Sequence, residues 1–439
     1  MQSKPNIIFV FTDQQSASMM SCAGNQYVNT PAMDSLAAKG VRFERAYCTN
    51  PVCLPSRFSL MTGRMPSALN IRSNEDGHIE KKPEDITKNG FGWFFRNAGY
   101  DVAYGGKEHL PEMRAADLGF DYITSDERDG LADVCAEYIR QKRDRPFLLV
   151  ASFINPHDIC LKAIGDFEET EEEKWIMSHL LVDKATLDKA LQYPEGITEK
   201  EFFGKYCPPL PSNFEVQQDE PEAISILQDR RPFKKKARAR YTPEQWRLHR
   251  WAYCKLTEMV DAQIGRIFDA VKKSHIEEDT LIIFSSDHGD MDAAHRMEHK
   301  EVLYEEAARI PLIIAQAGRT PAGKVDRTHL ISNGLDLIPT LCDYAGIKIP
   351  EELAGLSFRR LAEGKSDVPW RKFVPVESEF GRMIVTERYK YMLYDAGKNR
   401  EQLIDLELDP GEMKNSALDP AYREILEKHR AMFRNYYKL

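Results

Sequence analysis

Two aspartates stand where buried strands should end, each followed by a residue able to hold a metal. Asp13-Gln14 closes the apolar run Asn6–Thr12, and Asp287-His288 follows the run Leu281–Phe284 within Ser285-Ser286-Asp287-His288-Gly289-Asp290. A lone aspartate in such a place usually caps a turn or a helix. Two such pairs mark the carboxyl edge of a parallel sheet, where open α/β sheets bind ligands. Their three oxygen donors and one imidazole suit Ca2+, Mg2+ or Mn2+ better than a soft ion. A divalent ion there would neutralise an oxyanion and acidify a bound hydroxyl.

Other candidates are spread along the chain. Cys53-Leu54-Pro55-Ser56-Arg57 runs into the apolar, helix-like Leu60-Met61-Thr62-Gly63-Arg64. Cys53 could be an ordinary buried thiol, and Arg57 a surface ion-pair partner. One helical turn separates them, so the guanidinium can return to the helix N-terminus and grip an anion beside its free N–H groups. Lys107 and His109 follow the strand-like Gly99–Tyr104 and point the same way if the chain stays extended. His157 follows the buried run Pro146–Phe153, and Lys300 lies in His299-Lys300-Glu301-Val302-Leu303-Tyr304. His295 and His299 fit pocket-lining, surface or capping roles equally.

Cys53, Pro55, Ser56, Arg57, Thr62 and Gly63 together resemble the signature C-x-P-S-R-x-x-x-x-T-G of the type I sulfatases, in the alkaline phosphatase superfamily. Further segments follow in that family's order. Gly106-Lys107-Glu108-His109-Leu110 resembles G-K-W-H-L, with Glu108 in place of tryptophan and Pro111 in place of a following glycine. Pro156-His157 resembles the start of P-H-x-P, although Ile159-Cys160 replace the expected proline. Lys300 to Glu305 resembles K-x-x-x-Y-E, and Gln402 to Glu412 resembles a strand and turn near the family's C-terminus.

The resemblance implies that Cys53 is oxidised to formylglycine, by a formylglycine-generating or an anaerobic sulfatase-maturing enzyme, and that its hydrated aldehyde is the nucleophile. It implies one cation, usually Ca2+, at Asp13, Gln14, Asp287 and His288. Arg57 would support the formylglycine and His109 its diol, Lys107 and Lys300 would bind sulfate, and His157 would be the general acid. An imidazole suits that task through its near-neutral pKa. An aldehyde hydrate can expel sulfate by elimination, whereas a serine ester would need a second hydrolytic attack. A thiol beside a hard cation is a mismatched ligand, which independently favours the oxidation.

The expected activity is hydrolysis of a carbohydrate sulfate, a glycosaminoglycan fragment being one candidate. Many members carry aspartate at the position of Gln14 and asparagine at that of His288. The variants found here also occur in bacterial phosphonate monoester hydrolases, so a phosphonate monoester or phosphodiester hydrolase is the alternative. A catalytically silent binding protein with unmodified Cys53 is a third reading.

The elements that must position these residues read as a doubly wound α/β domain with a mostly parallel sheet over residues 1–365. A small α+β subdomain follows over 366–439, with an antiparallel sheet and a terminal helix from Pro420. Val41–Ala46 reads as one short strand, and Glu244–Lys273 as a long amphipathic helix. Residues 160–240 read as an inserted surface region near the site mouth, and its basic run Lys234–Arg238 as a solvated face. The net charge of −9, from 60 basic and 69 acidic residues, argues against nucleic acid as a partner. Eight cysteines without a C-x-x-C pair make neither a zinc cluster nor a disulfide framework. The apolar run Ile7–Phe11 is far shorter than the ~20 residues of a membrane span, and no transmembrane segment is expected. The protein is then cytoplasmic, or periplasmic or secreted with an export signal removed.

Overall fold

The computed structural model describes residues 4–77, 86–87, 90–365 and 367–438. Met1–Ser3 and residue 366, the expected start of the C-terminal subdomain, lie outside them. The strands are β1 (Asn6–Asp13), β2 (Val41–Phe43), β3 (Ala46–Tyr47), β4 (Asp101–Gly106), β5 (Asp121–Thr124), β6 (Phe147–Pro156) and β7 (Thr280–Ser286). Then come β8 (Leu312–Ala315), β9 (Lys324–Asp326), β10 (Ile331–Ser332), β11 (Val374–Ser378), β12 (Gly381–Val385), β13 (Tyr389–Tyr394) and β14 (Glu401–Asp405).

The main sheet has the order β5-β4-β6-β1-β7-β8-β2-β9. Strands β5 through β7 in that order are parallel, β8 runs against both its neighbours, and β9 is parallel to β2. Strand β1 is apolar from Ile7 to Phe11 because both its faces are covered there. Ile7, Phe9 and Phe11 meet the helices Cys53–Thr62, Phe91–Asn97 and Asn333–Ala345. Ile8 and Val10 meet the helices Pro31–Lys39, Asp129–Arg140 and Pro243–Lys273. The long helix opens on a capping box between Thr242 and Gln245 with Pro243 at its first position.

The four strands β11 to β14 form an antiparallel meander, a separate C-terminal subdomain. Its outer face, with Ile384, Tyr391 and Leu403, is covered by Leu426 and Phe433 of the terminal helix Arg423–Tyr437. Its inner face, with Val376, Met383, Met392 and Ile404, packs on Met291, Met297 and Val302–Tyr304. The small sheet therefore backs the segment that carries Lys300.

Two expectations change. Val41–Ala46 is not one strand: β2 belongs to the main sheet, whereas β3 pairs with β10. The charged Glu44-Arg45 separates them, and a guanidinium nitrogen of Arg45 donates to Thr386 O of the small subdomain at 2.8 Å. The basic run is not a uniformly solvated face. It lies on the helix Pro232–Arg240, and its Lys234 side chain is only 3% exposed and pairs with Glu301 at 2.5 Å. Residues 160–240 fold into helices whose Leu161, Ile164, Leu187 and Phe233 pack on Trp246, Tyr253 and Leu256 of the long helix.

The end of β4 requires a glycine. Gly106 has φ +90°, and a Cβ there would stand 2.1 Å from Ser152 O. That carbonyl accepts the backbone N–H of Lys107 at 3.0 Å, so the close approach fixes where Lys107 leaves the sheet. Gly106→Ala should destabilise the fold by at least about 1–3 kcal/mol, the usual cost of one such backbone position, as read by the shift of the chemical denaturation midpoint.

Candidate active site

The Cys53–Thr62 helix starts at the carboxyl edge of the sheet, and all ten of its residues are buried. Val52 offers no side-chain cap, but Asn74 Oδ1 accepts the Leu54 N–H at 3.0 Å. Arg57 returns to the helix N-terminus, as its spacing predicts. Its partners are internal: Nε donates to Asp287 Oδ2 at 2.7 Å and Nη2 to Asp13 Oδ2 at 2.9 Å. Nη1 donates to Ser152 Oγ at 2.8 Å and Lys107 O at 2.9 Å. One guanidinium thus joins the ends of β1, β7, β6 and β4.

The donor atoms of Asp13, Cys53, Asp287 and His288 all lie within 4.8 Å of one another and are buried. His288 Nε2 is 3.2 Å and Asp13 Oδ1 3.6 Å from Cys53 Sγ. His288 Nδ1 lies 2.9 Å from Gly289 O. A carbonyl only accepts, so Nδ1 carries a proton and Nε2 is the nitrogen that faces the cluster. Burial there is outweighed by Asp287 and the Cys53 charge, which raise the imidazole above its usual range. Two carboxylates and an imidazole fit a hard divalent cation, and the Cys53 sulfur is the one soft donor among them.

Gln14 is next to this cluster, held at φ 68° with its N–H on Asp287 Oδ1 at 3.0 Å. Its amide is gripped at both ends. Nε2 donates to Asp290 Oδ2 at 2.7 Å, while Oε1 accepts from Lys300 Nζ at 2.6 Å and from Cys160 Sγ at 3.1 Å. Gln14 Oε1 is therefore available to a cation only if Lys300 shares or yields it.

Cations occupy the other side of Cys53. Lys300 Nζ stands 3.0 Å from Sγ, and Lys107 Nζ donates to Asp13 Oδ2 at 2.6 Å. Burial alone would raise the Cys53 thiol, but Lys300, Lys107 and His288 outweigh it and hold it well below the usual thiol range. Burial and the Cys53 charge would raise Asp13, yet Lys107, His157 and Arg57 keep it below the carboxylate range. His109 and His157 also lie close enough to Cys53 to act on its ionisation or have theirs altered by it. The near-neutral pKa anticipated for His157 is not what the free site provides. Burial, then repulsion from Lys300 and Lys107, pushes it down to about 4.

All ten residues singled out in the sequence converge here: Asp13, Gln14, Cys53, Arg57, Lys107, His109, His157, Asp287, His288 and Lys300. His295 and His299 do not join them. His295 stacks on Tyr304 with ring centroids 3.9 Å apart, and His299 lies against Phe233 and the Glu298 carboxylate. The sequence reading missed Asp290, Cys160, Ser152 and Asn74. Of these only Asp290 had a signal, since a buried neutral amide at position 14 needs an acceptor and Asp290 lies in the same motif as Asp287.

Residues 5–347 match the sulfatase family model, and residues 293–438 match the model of the N-sulphoglucosamine sulphohydrolase C-terminal region. The chain belongs to the sulfatase family. It is 31% identical to a Delta 4,5-hexuronate-2-O-sulfatase of Bacteroides thetaiotaomicron, over 99% of this chain and 89% of that protein. A putative sulfatase from the same species superposes with a TM-score of 0.82 at 29% identity, covering 99% of this chain and 92% of that one. A phosphonate monoester hydrolase of Agrobacterium radiobacter superposes at 0.76 with 21% identity, covering 98% and 95%, a likeness of fold. The protein is a sulfatase-type hydrolase with a buried metal-binding cluster around Cys53.

Asp290 orients the Gln14 amide, so Asp290→Ala tests Gln14 as a ligand: in that role divalent-cation binding should weaken by about 10–100-fold, the usual cost of losing a partner that orients a metal ligand. Calorimetric titration of metal-free protein with Ca2+ or Mn2+ measures it. In a Gln14→Ala background the same change should cost much less, and an equal cost in both backgrounds would refute the orienting role.

Proposed function

We propose that the chain hydrolyses a carbohydrate sulfate ester with Cys53 matured to formylglycine. The observation that carries this reading is the place of Cys53 Sγ, with Asp13 and His288 on one side and Lys300 on the other. In this reading Sγ stands in for a diol oxygen of hydrated formylglycine, which removes the mismatch between a soft sulfur and a hard donor set. The matured residue supplies an oxygen nucleophile and a second hydroxyl whose deprotonation re-forms the aldehyde and breaks the C–O bond to the departing sulfate. Ca2+ is the first candidate for the cation, with Mn2+ and Mg2+ compatible; it would be held by Asp13, Asp287, His288 and Gln14, and supplies neutralisation of oxyanion charge. A formylglycine-generating or anaerobic sulfatase-maturing enzyme is the implied partner.

The chain's own groups divide the remaining tasks. Lys300 and Lys107 bind the sulfate, His109 and Arg57 fix the nucleophile's surroundings, and His157 protonates the departing alcohol. A bound sulfate ester puts negative charge between His157 and the two lysines, offsetting the repulsion that depresses its pKa. A carbohydrate is favoured by the 31% identity, over nearly the whole chain, with a relative named as a hexuronate-2-O-sulfatase. A 2-O-sulfated Δ4,5-hexuronate disaccharide is accordingly the first substrate to assay, beside other sulfated sugars and an aryl phosphonate ester. Faster turnover of the phosphonate would overturn the assignment.

Mass spectrometry of the active protein should show an aldehyde in place of the Cys53 thiol. Full activity in a preparation holding only the intact thiol would refute the maturation.

His157→Ala should slow single-turnover cleavage of a sugar sulfate by about 10²–10⁴-fold, and of nitrophenyl sulfate far less, because a good leaving group needs no proton. The pH profile follows from the depressed pKa. A group that must be protonated and titrates near 4 in the free site makes kcat/KM fall as pH rises above about 4. In the complex the bound anion raises that pKa, so kcat should hold to higher pH. A kcat/KM profile on the sugar sulfate that His157→Ala leaves unchanged in shape would remove His157 from the acid role.

A further inference from the structure

The loop that delivers Lys300 is strained to an unusual degree. Asp292, Ala293, His295, Arg296, His299 and Glu301 have φ of 45°, 72°, 53°, 54°, 69° and 83°, although none is glycine. Each places a Cβ where L-residues are disfavoured, and such conformations persist only where the surroundings over-determine them. The restraints come from the region 213–250. Arg250 Nη2 holds Asp292 Oδ2 at 3.0 Å, and Asn213 O accepts the His295 N–H at 2.8 Å. Arg296 Nη2 holds Glu215 Oε2 at 2.7 Å, and Phe233 lies 5.2 Å from the His299 ring.

The restraint nearest the chemistry is Lys234. Its ammonium, on a side chain 3% exposed, lies 2.5 Å from Glu301 Oε2. Glu301 is also tied through its backbone, its N–H donating at 3.0 Å to Pro51 O, two residues before Cys53. The residue before it, Lys300, reaches Cys53 Sγ at 3.0 Å and Gln14 Oε1 at 2.6 Å. Lys300 therefore projects from a backbone pinned on one side to the Cys53 loop and on the other to Lys234.

We propose that the Lys234–Glu301 ion pair is a positioning device for Lys300, through which the helical region before the long helix sets the geometry of the sulfate-binding cation. Lys234 touches no reacting atom and acts through Glu301. The inference rests on the sulfate-binding reading of Lys300, and the test separates the two. In the matured, metal-loaded enzyme Lys234→Met should lower kcat/KM for the sulfate ester about 10–100-fold, the scale of a small misplacement of a binding group. The loss should fall mainly on KM, with divalent-cation affinity unchanged. Lys234→Arg, which keeps the charge, should restore most of it. In a Lys300→Ala background Lys234→Met should cost no further kcat/KM, while lowering Tm by the same amount as in the wild type. Equal fold losses in both backgrounds would show a general structural role and overturn the proposal. A crystal structure of Lys234→Met should show Lys300 Nζ displaced from residue 53, and an undisplaced Nζ also overturns it. If Lys300→Ala leaves KM unchanged while the lysine still moves in Lys234→Met, the positioning stands and the sulfate-binding role of Lys300 falls.

Discussion

The site depends first on Arg57. Asp13 and Asp287 must both be ionised to hold a cation, yet both are fully buried, and burial with the Asp13 charge still holds Asp287 above the usual carboxylate range against His288 and Arg57. A guanidinium is the side chain for this task, because it stays charged at any working pH and reaches two carboxylates at once. Its bonds to Asp13 and Asp287 also tie the ends of two adjacent strands to the Cys53 helix. Removing one partner of so buried a network leaves an uncompensated charge, at a cost of about 3–5 kcal/mol. The interaction that prepares the metal cluster is thus the same one that fixes Cys53 against the sheet.

From that clamp the charge around Cys53 separates by function. Asp13 Oδ1 and His288 Nε2 approach the sulfur with Asp287 behind them, Lys300 reaches the same sulfur as a cation, and Lys107 pairs with Asp13 Oδ2. The neutral amide of Gln14 stands at the boundary, bonded to Lys300 through its oxygen and to Asp290 through its nitrogen. A carboxylate of the same length there would repel Asp290 across the same 2.7 Å contact, and an aspartate, one methylene shorter, would not reach it. Gln14 and Asp290 therefore make sense as a pair, the amide nitrogen donating to the carboxylate.

How much of this was legible in the sequence follows from the range of each interaction. Strand β1 announced itself because burial on both faces demands an unbroken apolar run, and the i to i+4 relation of Cys53 and Arg57 is local. Asp13 and Asp287 were legible as strand ends. What the sequence could not show were pairings across long separations. A lysine in a basic helix looks the same whether it meets water or Glu301, 67 positions away. The pKa of His157 was illegible for a like reason, since its depression comes from burial and from two lysines brought to it by other elements. Motif order named residues that the fold brings together, but it carries nothing about the fields that act on them.

The small C-terminal sheet gains its meaning from the same loop. Segment 291–308 has little regular structure of its own, only short helical turns at 294–296 and 305–308. It is held from one side by the region 213–250. On the other side Lys390 of β13, fully buried, reaches Glu305 at 3.1 Å and Glu412 at 2.7 Å. Glu412 in turn accepts the Glu305 N–H at 2.6 Å, at the start of the turn that follows Lys300. A cation meant to bind a developing charge is most effective when it needs no reorganisation at the moment of reaction. A loop that is strained by itself and clamped by two neighbours meets that requirement, because no relaxed alternative is open to it while both clamps hold. The helical region and the C-terminal sheet, distant from each other in sequence, are on this argument two halves of one support for Lys300.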